Sequence, residues 1–403
     1  MCSAMMYPTI SLPRLFWRSF FPAADSAYRK PSLQRLLVLL LFWPVFLSLL
    51  LGNRLCLWLD TVLFPDFKKL AIDQPLFVVG VPRSGTTFLH RLLAMDEQRF
   101  TTTALWELVF APSIVQRRFW IAAAALDRHL GRPCARLLHR LERSSLQGLD
   151  DIHKTGLLEP EEDYLALSAH LGCFLLILPF GDTSLWRLAY LDRDASDAEK
   201  KRLMQCYRSL IQRHLYVHGA DKTFLSKNPS FTPWIKTLRQ EFPDARFIGC
   251  IRTPHEALPS QVNSILIGAG IFSGKVDLDW WREGLRDMLA YYYETLVQSH
   301  KECPAETFQI AKMASLVQSP NATISALYDS FGWTLRSNYE AMLETAEQNA
   351  KQYRSGHHYE GEKLGVNADE TEKIFNNAIA YFELGAKRGD QCDTLVAPSD
   401  QSN

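Results

Sequence analysis

The sequence has no surplus of either charge: 44 Lys and Arg stand against 44 Asp and Glu across 403 residues. A nucleic-acid surface needs a basic excess to hold a phosphate backbone, so that partner class is set aside and any anion site must be local. Cysteines are few and scattered. Cys2, Cys56, Cys134, Cys173, Cys206, Cys250, Cys303 and Cys392 form no C-x-x-C pair and no metal-like spacing. That argues against a disulfide framework or a zinc site, and mildly for a reducing compartment. Internal repeats and low-complexity segments are also missing. Disorder is excluded by content, because 47% hydrophobic and 12% aromatic residues can bury a sizeable core.

Charge is locally absent near the start. Leu36 to Gly52 carries no charged residue and is preceded by Arg14, Arg18, Arg29, Lys30 and Arg35. As a helix it would span roughly 26 Å, slightly less than a bilayer core of about 30 Å. Pro44 in its middle predicts a kink or a break. The long charged lead-in and the lack of a small-residue cleavage site do not suit a signal peptide. A spanning anchor, a re-entrant or interfacial segment, and a buried core helix all remain open. The short run and Pro44 favour the second, with the chain membrane-associated on the cytoplasmic face. A full span would instead give a Golgi-type single-pass type II protein, because the basic flank keeps the N-terminus in the cytosol.

Downstream, short apolar runs alternate with helical periodicity. Leu76 to Gly80, Thr223 to Leu225, Ala245 to Ile251 and Phe308 to Ile310 read as strands. Ser196-Asp197-Ala198-Glu199 is a capping box that opens a helix through Leu203, Tyr207, Leu210 and Ile211. Leu278 to Val297 is an aromatic-rich helix. The pattern predicts an α/β fold: a central parallel sheet flanked by helices, with a helical insertion at about 100–220 between the first two strands. Residues 1–75 form the basic, hydrophobic membrane-associated region, 76–388 the main domain, and 389–403 a polar, frayed tail.

Between the first strand and its helix lies Gly80-Val81-Pro82-Arg83-Ser84-Gly85-Thr86-Thr87. Such a loop aims backbone N–H groups and the positive end of a helix dipole at one anion. Gly85 stands where positive φ or a close approach is needed. Relative to the nucleoside-triphosphate loop G-x-x-x-x-G-K-[ST], Thr86 replaces the Lys that reaches the β and γ phosphates, and Arg83 offers a cation instead. The central sheet is therefore P-loop-like, but suited to a phosphate with one attached group.

Gly80 to Arg91 resembles the 5′-phosphosulfate loop of the sulfotransferases, in the form seen in the bacterial family and in tyrosylprotein sulfotransferases. A second resemblance begins at Arg246 to Arg252 and reaches Ser260 eight residues later. It is similar to the family's 3′-phosphate motif, in which an Arg at a strand end and a Ser on the next helix clamp the phosphate. The likeness extends through Phe242-Pro243-Asp244-Ala245-Arg246 and a late His357-His358-Tyr359 to Leu364-Gly365-Val366 segment. It implies transfer of a sulfuryl group from 3′-phosphoadenylyl sulfate, without a metal. The donor would be held by Pro82, Arg83, Ser84, Gly85, Thr86, Thr87, Arg252 and Ser260.

Such transfer moves the group in line, and it needs a base for the acceptor and cations for the leaving oxygen. Glu107 lies close to where tyrosylprotein sulfotransferases carry their catalytic Glu and is the expected base. A first-turn Glu or a salt bridge to an insertion Arg would explain it as well. His90, His153 and His255 are the other candidates. Lys227 resembles the K-x-P lysine that touches the leaving oxygen and would share the electrophilic role with Arg83. Relatives often carry a His two residues past that Pro; here it is Phe231.

Glu159 to Asp163 reads as a solvated helix start with acids in its first turn, or as a lip for a cationic acceptor. Arg136, His139, Arg140 and Arg143 form a basic amphipathic stretch, and Asn321 fits a glycosylation sequon or a helix cap. The acceptor is expected to be a small molecule, a lipid or a glycan, carrying a hydroxyl rather than an amine; a lipid or lipid-linked hydroxyl beside the membrane segment is favoured, with a peptide tyrosine or a glycan as rivals. Its pocket would come from the insertion and from the helix around Trp280, Trp281 and Tyr291 to Tyr293. A P-loop kinase and a non-catalytic, membrane-tethered nucleotide-binding protein are the rival functions.

Overall fold

The computed structural model describes residues 10–30, 32–137, 156–352 and 364–385, with backbone only for 349–352. His139, Arg140, Arg143, His153 and the His357–Tyr359 segment lie outside the described residues.

Five parallel strands form the sheet: β1 (Leu76–Gly80), β2 (Phe100–Thr101), β3 (Thr223–Lys227), β4 (Arg246–Ile251) and β5 (Phe308–Lys312), in the order β2-β3-β1-β4-β5. Four of them are the expected strands. The two-residue β2 at the edge is an addition, too short to leave a periodic signal. β1 is buried along its whole length. Alternate residues face opposite sides. Phe77 and Val79 join one core with Phe224, Phe247 and Ile251, while Leu76 and Val78 join the other with Leu89, Leu93, Leu225, Ile248 and Cys250.

Helices cover both faces: α1 (Leu12–Phe20), α2 (Leu33–Leu63), α3 (Thr86–Ala94), α4 (Leu105–Phe110), α5 (Ile114–His129), α6 (Ile177–Phe180), α7 (Leu191–Asp194), α8 (Asp197–His218), α9 (Ile235–Glu241), α10 (Pro254–Phe272), α11 (Leu278–Glu302), α12 (Met313–Gln318), α13 (Pro320–Ser330), α14 (Ser337–Gln352) and α15 (Ala368–Phe382). The predicted capping box opens α8, where Glu199 accepts from the Ser196 N–H at 2.8 Å. The insertion between β1 and β3 is mostly helical, as expected.

The N-terminal helices depart from expectation. α2 is one unbroken helix that carries Pro44 within it, so Pro44 does not split the run. The helix packs along the domain. Arg35 near its start donates to the Pro179 carbonyl at 3.2 Å, and Asp60 near its end pairs with Arg213 at 2.8 Å.

Order 2-3-1-4-5 makes β1 the strand at which the chain switches sides of the sheet. In parallel α/β sheets the crevice beyond the carboxyl ends at that point is where ligands bind. The loop after β1, Lys227 at the end of β3 and Arg252 just past β4 all lie there.

Candidate active site

The loop after β1 is braced from below. Gly80 has φ of 136°, and a Cβ there would stand 2.2 Å from the Cys250 carbonyl oxygen. Only glycine lets β1 and β4 run this close at their ends. Thr232 clips the same residue, accepting from the Gly80 N–H at 2.8 Å and donating to its carbonyl at 2.6 Å. Ser84 is fully buried, and its hydroxyl donates to the Val81 and Cys250 carbonyls. Its side chain thus builds the loop and is not turned to the cavity. Gly85 adopts φ of 86° as the N-cap of α3. Arg83, with φ of 66°, is held in the left-handed region despite its side chain, a strain typical of ligand-binding loops.

Arg83 crosses to the other motif, its Nε donating to Ser260 Oγ at 3.1 Å. Arg252 reaches the Arg83 carbonyl through Nη1 at 3.4 Å and pairs with Glu256 at 2.9 Å. Thus Arg83 joins Arg252 and Ser260, far along the chain from it, in one cluster around the loop. They line a cavity of about 650 Å³ together with Pro82, Gly85, Thr86 and Thr87.

The far wall of the cavity is apolar. Leu165, Phe174, Leu175 and Leu178 come from the insertion, Ile265 from α10 and Met288 from α11. Trp280 and Trp281, expected in the acceptor pocket, instead pack on Trp186, tilted at 5.4 Å and edge-on at 6.4 Å.

Glu107 is not among the cavity-lining residues. It is buried in α4, where Oε2 accepts from the Ala104 N–H at 3.0 Å. Its other oxygen meets Arg117 at 3.2 Å and His218 at 2.6 Å. Burial alone would raise its pKa, but Arg117, the His218 hydrogen bond and His214 outweigh it and bring it down to about 2. The expected base therefore stands as a structural ion pair, because a carboxylate so stabilised is a poor proton acceptor. Glu107, His214 and His218 also bring three ligand atoms within 4.8 Å of one another. The Arg117 guanidinium already neutralises that carboxylate and would repel a cation.

The acid sensitivity that follows has a definite sign. The depressed pKa stabilises the folded state at pH above the ordinary value of 4.5, and this contribution is lost as pH falls toward 2. About 3 kcal/mol should disappear across that window. Urea unfolding at stepped pH should show the slope, and Glu107→Gln should flatten it.

The other candidates are also placed. His90 is buried on α3 and bonds Thr102 at 2.8 Å. Burial first, then Lys227 and Arg91, push its pKa well down, so it is a neutral imidazole. His255 pairs with Glu372 at 2.7 Å on the outer side of α10.

Lys227 Nζ is fully buried and is gripped by Glu161 at 2.9 Å and Glu162 at 3.2 Å. Both glutamates line the cavity. They belong to the acidic run expected on a solvated helix start. The chain zips that run against α4 instead, with N–H groups of Leu105, Trp106 and Glu161 bonded to the carbonyls of Glu159, Leu157 and Thr103. Burial raises the Glu162 pKa against the opposing pull of Lys227, and Glu161 raises it further. Next to it Asp163 is buried, its carboxylate accepting from Tyr207 Oη.

Comparison with known proteins agrees with this geometry. A sulfotransferase family profile matches residues 75–337. The chain belongs to the sulfotransferase family. Among curated sulfotransferases it resembles omega-hydroxy-beta-dihydromenaquinone-9 sulfotransferase Stf3 of Mycobacterium bovis and of Mycobacterium tuberculosis, at 28% identity over 220 residues. That match covers 54% of this chain and 52% of the relative, so the chain spans about half the length of the curated relatives it matches. Among solved structures, sulfotransferase STF9 from Mycobacterium avium superposes with a TM-score of 0.71 at 18% identity, covering 92% of this chain and 90% of that one. STF1 from Mycobacterium tuberculosis H37Rv gives 0.59 at 20% identity, covering 91% and 99%.

Within this sulfotransferase, the loop, Arg252 and Ser260 singled out in the sequence come together at one cavity. Sequence reasoning missed Thr232 as the loop's clip and misassigned Glu161 and Glu162. The only available signal for those glutamates was an acidic cluster, which alone points just as well to solvent.

Proposed function

We propose that this chain transfers a sulfuryl group from 3′-phosphoadenylyl sulfate to a hydroxyl on an apolar, lipid-like acceptor, with Glu162 as the general base. The observation that carries this reading is the single cavity in which the phosphate loop, the Arg83–Arg252–Ser260 cluster and Glu162 face an apolar wall. The residues suit a donor with two separate phosphates. Loop N–H groups and the start of α3 would take the phosphosulfate, and Arg252 with Ser260 the 3′-phosphate.

An acceptor hydroxyl in the apolar part would give its proton to Glu162 as its oxygen bonds to sulfur. The leaving phosphate oxygen would depart beside Arg83 and the loop. Lys227, set behind the glutamates, holds Glu162 in place and balances its charge; any contact with the leaving oxygen would require it to exchange partners. The acceptor named for the curated relatives, an omega-hydroxylated menaquinone derivative, also presents a hydroxyl on a largely apolar molecule. We place the enzyme at a membrane, on the cytoplasmic face.

The decisive experiment is incubation of the chain with labelled donor and a membrane extract. Label in an extractable lipid supports the reading, and label confined to soluble products rejects a lipid acceptor. Calorimetry separates the kinase alternative: 3′-phosphoadenosine 5′-phosphate should bind at least tenfold tighter than magnesium-ATP, because Thr86 cannot replace the missing Lys.

A further inference from the structure

α2 is 31 residues long, about 46 Å as a helix, and its buried residues lie in one stripe. Arg35, Leu39, Trp43, Leu50, Asn53 and Asp60 face the domain. The stripe is tied down at intervals: Arg35 to the Ser19 and Pro179 carbonyls, Trp43 Nε1 to Ser19 Oγ at 2.9 Å, Asn53 to the Val109 carbonyl at 3.0 Å, and Asp60 to Arg213. A helix bound to one globular body at both ends cannot cross a bilayer without drawing that body in. Its opposite face is apolar nonetheless. Leu33, Leu37, Leu41, Val45, Leu51 and Leu55 are each more than half exposed, and a patch of this length is not a surface left to water.

Its neighbours extend the patch. α1 exposes Trp17 and Phe21, which stack at 4.4 Å, α5 exposes Phe119 and Trp120, and the end of α10 exposes Ile267 and Ile271. Around it bases outnumber acids, although Arg29 pairs with Asp277 at 2.5 Å and Arg14 lies 3.8 Å from Asp182. From Ile10 to Leu59 the single acid is Asp25, against Arg14, Arg18, Arg29, Lys30 and Arg54 besides the buried Arg35. α5 adds exposed Arg118 and Arg128. Apolar residues with flanking Trp and a basic rim match an anionic lipid surface.

The cavity lies just behind. Leu178 of α6 lines it, while Phe180 of the same turn packs on Trp43 at 5.4 Å and Phe46 at 5.9 Å. Ile265 of α10 lines it, while Phe272 of the same helix packs on Phe42 at 5.6 Å.

We propose that the outward faces of α1, α2 and α5 and the end of α10 form a monotopic surface that inserts into one leaflet of an anionic membrane and delivers the acceptor from it into the cavity. The delivery step rests on the lipid-acceptor reading; the membrane surface does not.

Flotation of the full chain with vesicles tests the surface. The chain should float with phosphatidylcholine vesicles and more tightly when about a third of the lipid is phosphatidylglycerol, the gain fading with salt. Leu37→Glu combined with Leu41→Glu should weaken flotation about a hundredfold or more while leaving the circular dichroism and urea midpoint unchanged. A wild-type chain that stays with the soluble fraction, or a double variant that floats as well, overturns the proposal. So does a dimer in ultracentrifugation that these substitutions disperse without any vesicle binding, since a second copy would then cover the face.

For delivery, labelled transfer to farnesol is compared in vesicles and in detergent micelles. The variant should lose turnover only in vesicles, and equal turnover in both carriers overturns delivery. If the wild-type chain floats but labels farnesol in neither carrier, the lipid-acceptor reading fails while the membrane surface stands.

Discussion

Glu162→Gln should lower kcat by about 10²- to 10⁴-fold, the range that a general base contributes. Binding of 3′-phosphoadenosine 5′-phosphate should stay within about twofold, because the phosphate contacts proposed for the loop, Arg252 and Ser260 are untouched. The pH profile makes the test specific. Burial and Glu161 raise the Glu162 pKa, so in the wild-type chain kcat/KM should fall on the acid side at a pH above the ordinary carboxylate value of 4.5. That limb should vanish in Glu162→Gln and persist in Glu107→Gln, because the wild-type Glu107 carboxyl, held at about 2, does not titrate in that range. Retention of turnover in Glu162→Gln with its loss in Glu161→Gln would assign the base to the neighbouring carboxylate.

Asp60→Ala should cost about 3–5 kcal/mol, the penalty for stripping one partner from a buried ion pair. Asp60 is fully buried on α2. Its carboxylate takes the Arg213 Nε at 2.8 Å and the N–H groups of Ile114 and Val115 at 2.9 and 3.0 Å. Removing it strands the Arg213 guanidinium, which is only 5% exposed, and uncaps the first turn of α5 beside a helix dipole. Urea unfolding reads the loss as a lower midpoint at unchanged slope. A cost below about 1 kcal/mol would mean that α2 is an appendage which the domain does not need. The predicted size instead makes the apolar helix part of the folded unit.

Local features carried across from sequence to structure well. β1, β3, β4 and β5 fall where buried apolar runs mark them, and Ser196 with Glu199 starts α8. Such signals depend on residues within a few positions of one another. β2 escaped because two residues have no period, and its strand geometry comes from pairing with Thr223 and Phe224. Pro44 was overread. The helix continues through it, held from both ends by Arg35 and Asp60.

The sequence by itself determined the conformation of the loop after β1. Positive φ at Gly85, a strand before it and a helix after it are local properties of contiguous residues, and Arg83 travels with them. It also marked Arg252 and Ser260, whose spacing is set by one strand end and two turns of one helix.

Which carboxylate faces the cavity was decided only by the tertiary structure. Glu107 and Glu162 are both glutamates in acidic or aromatic surroundings, and nothing in their neighbours in sequence separates them. Arg117 and His218 fold onto the first, and Lys227 and the cavity meet the second. These partners lie up to 111 residues away, and it is burial beside a particular charge that pushes the two pKa values in opposite directions.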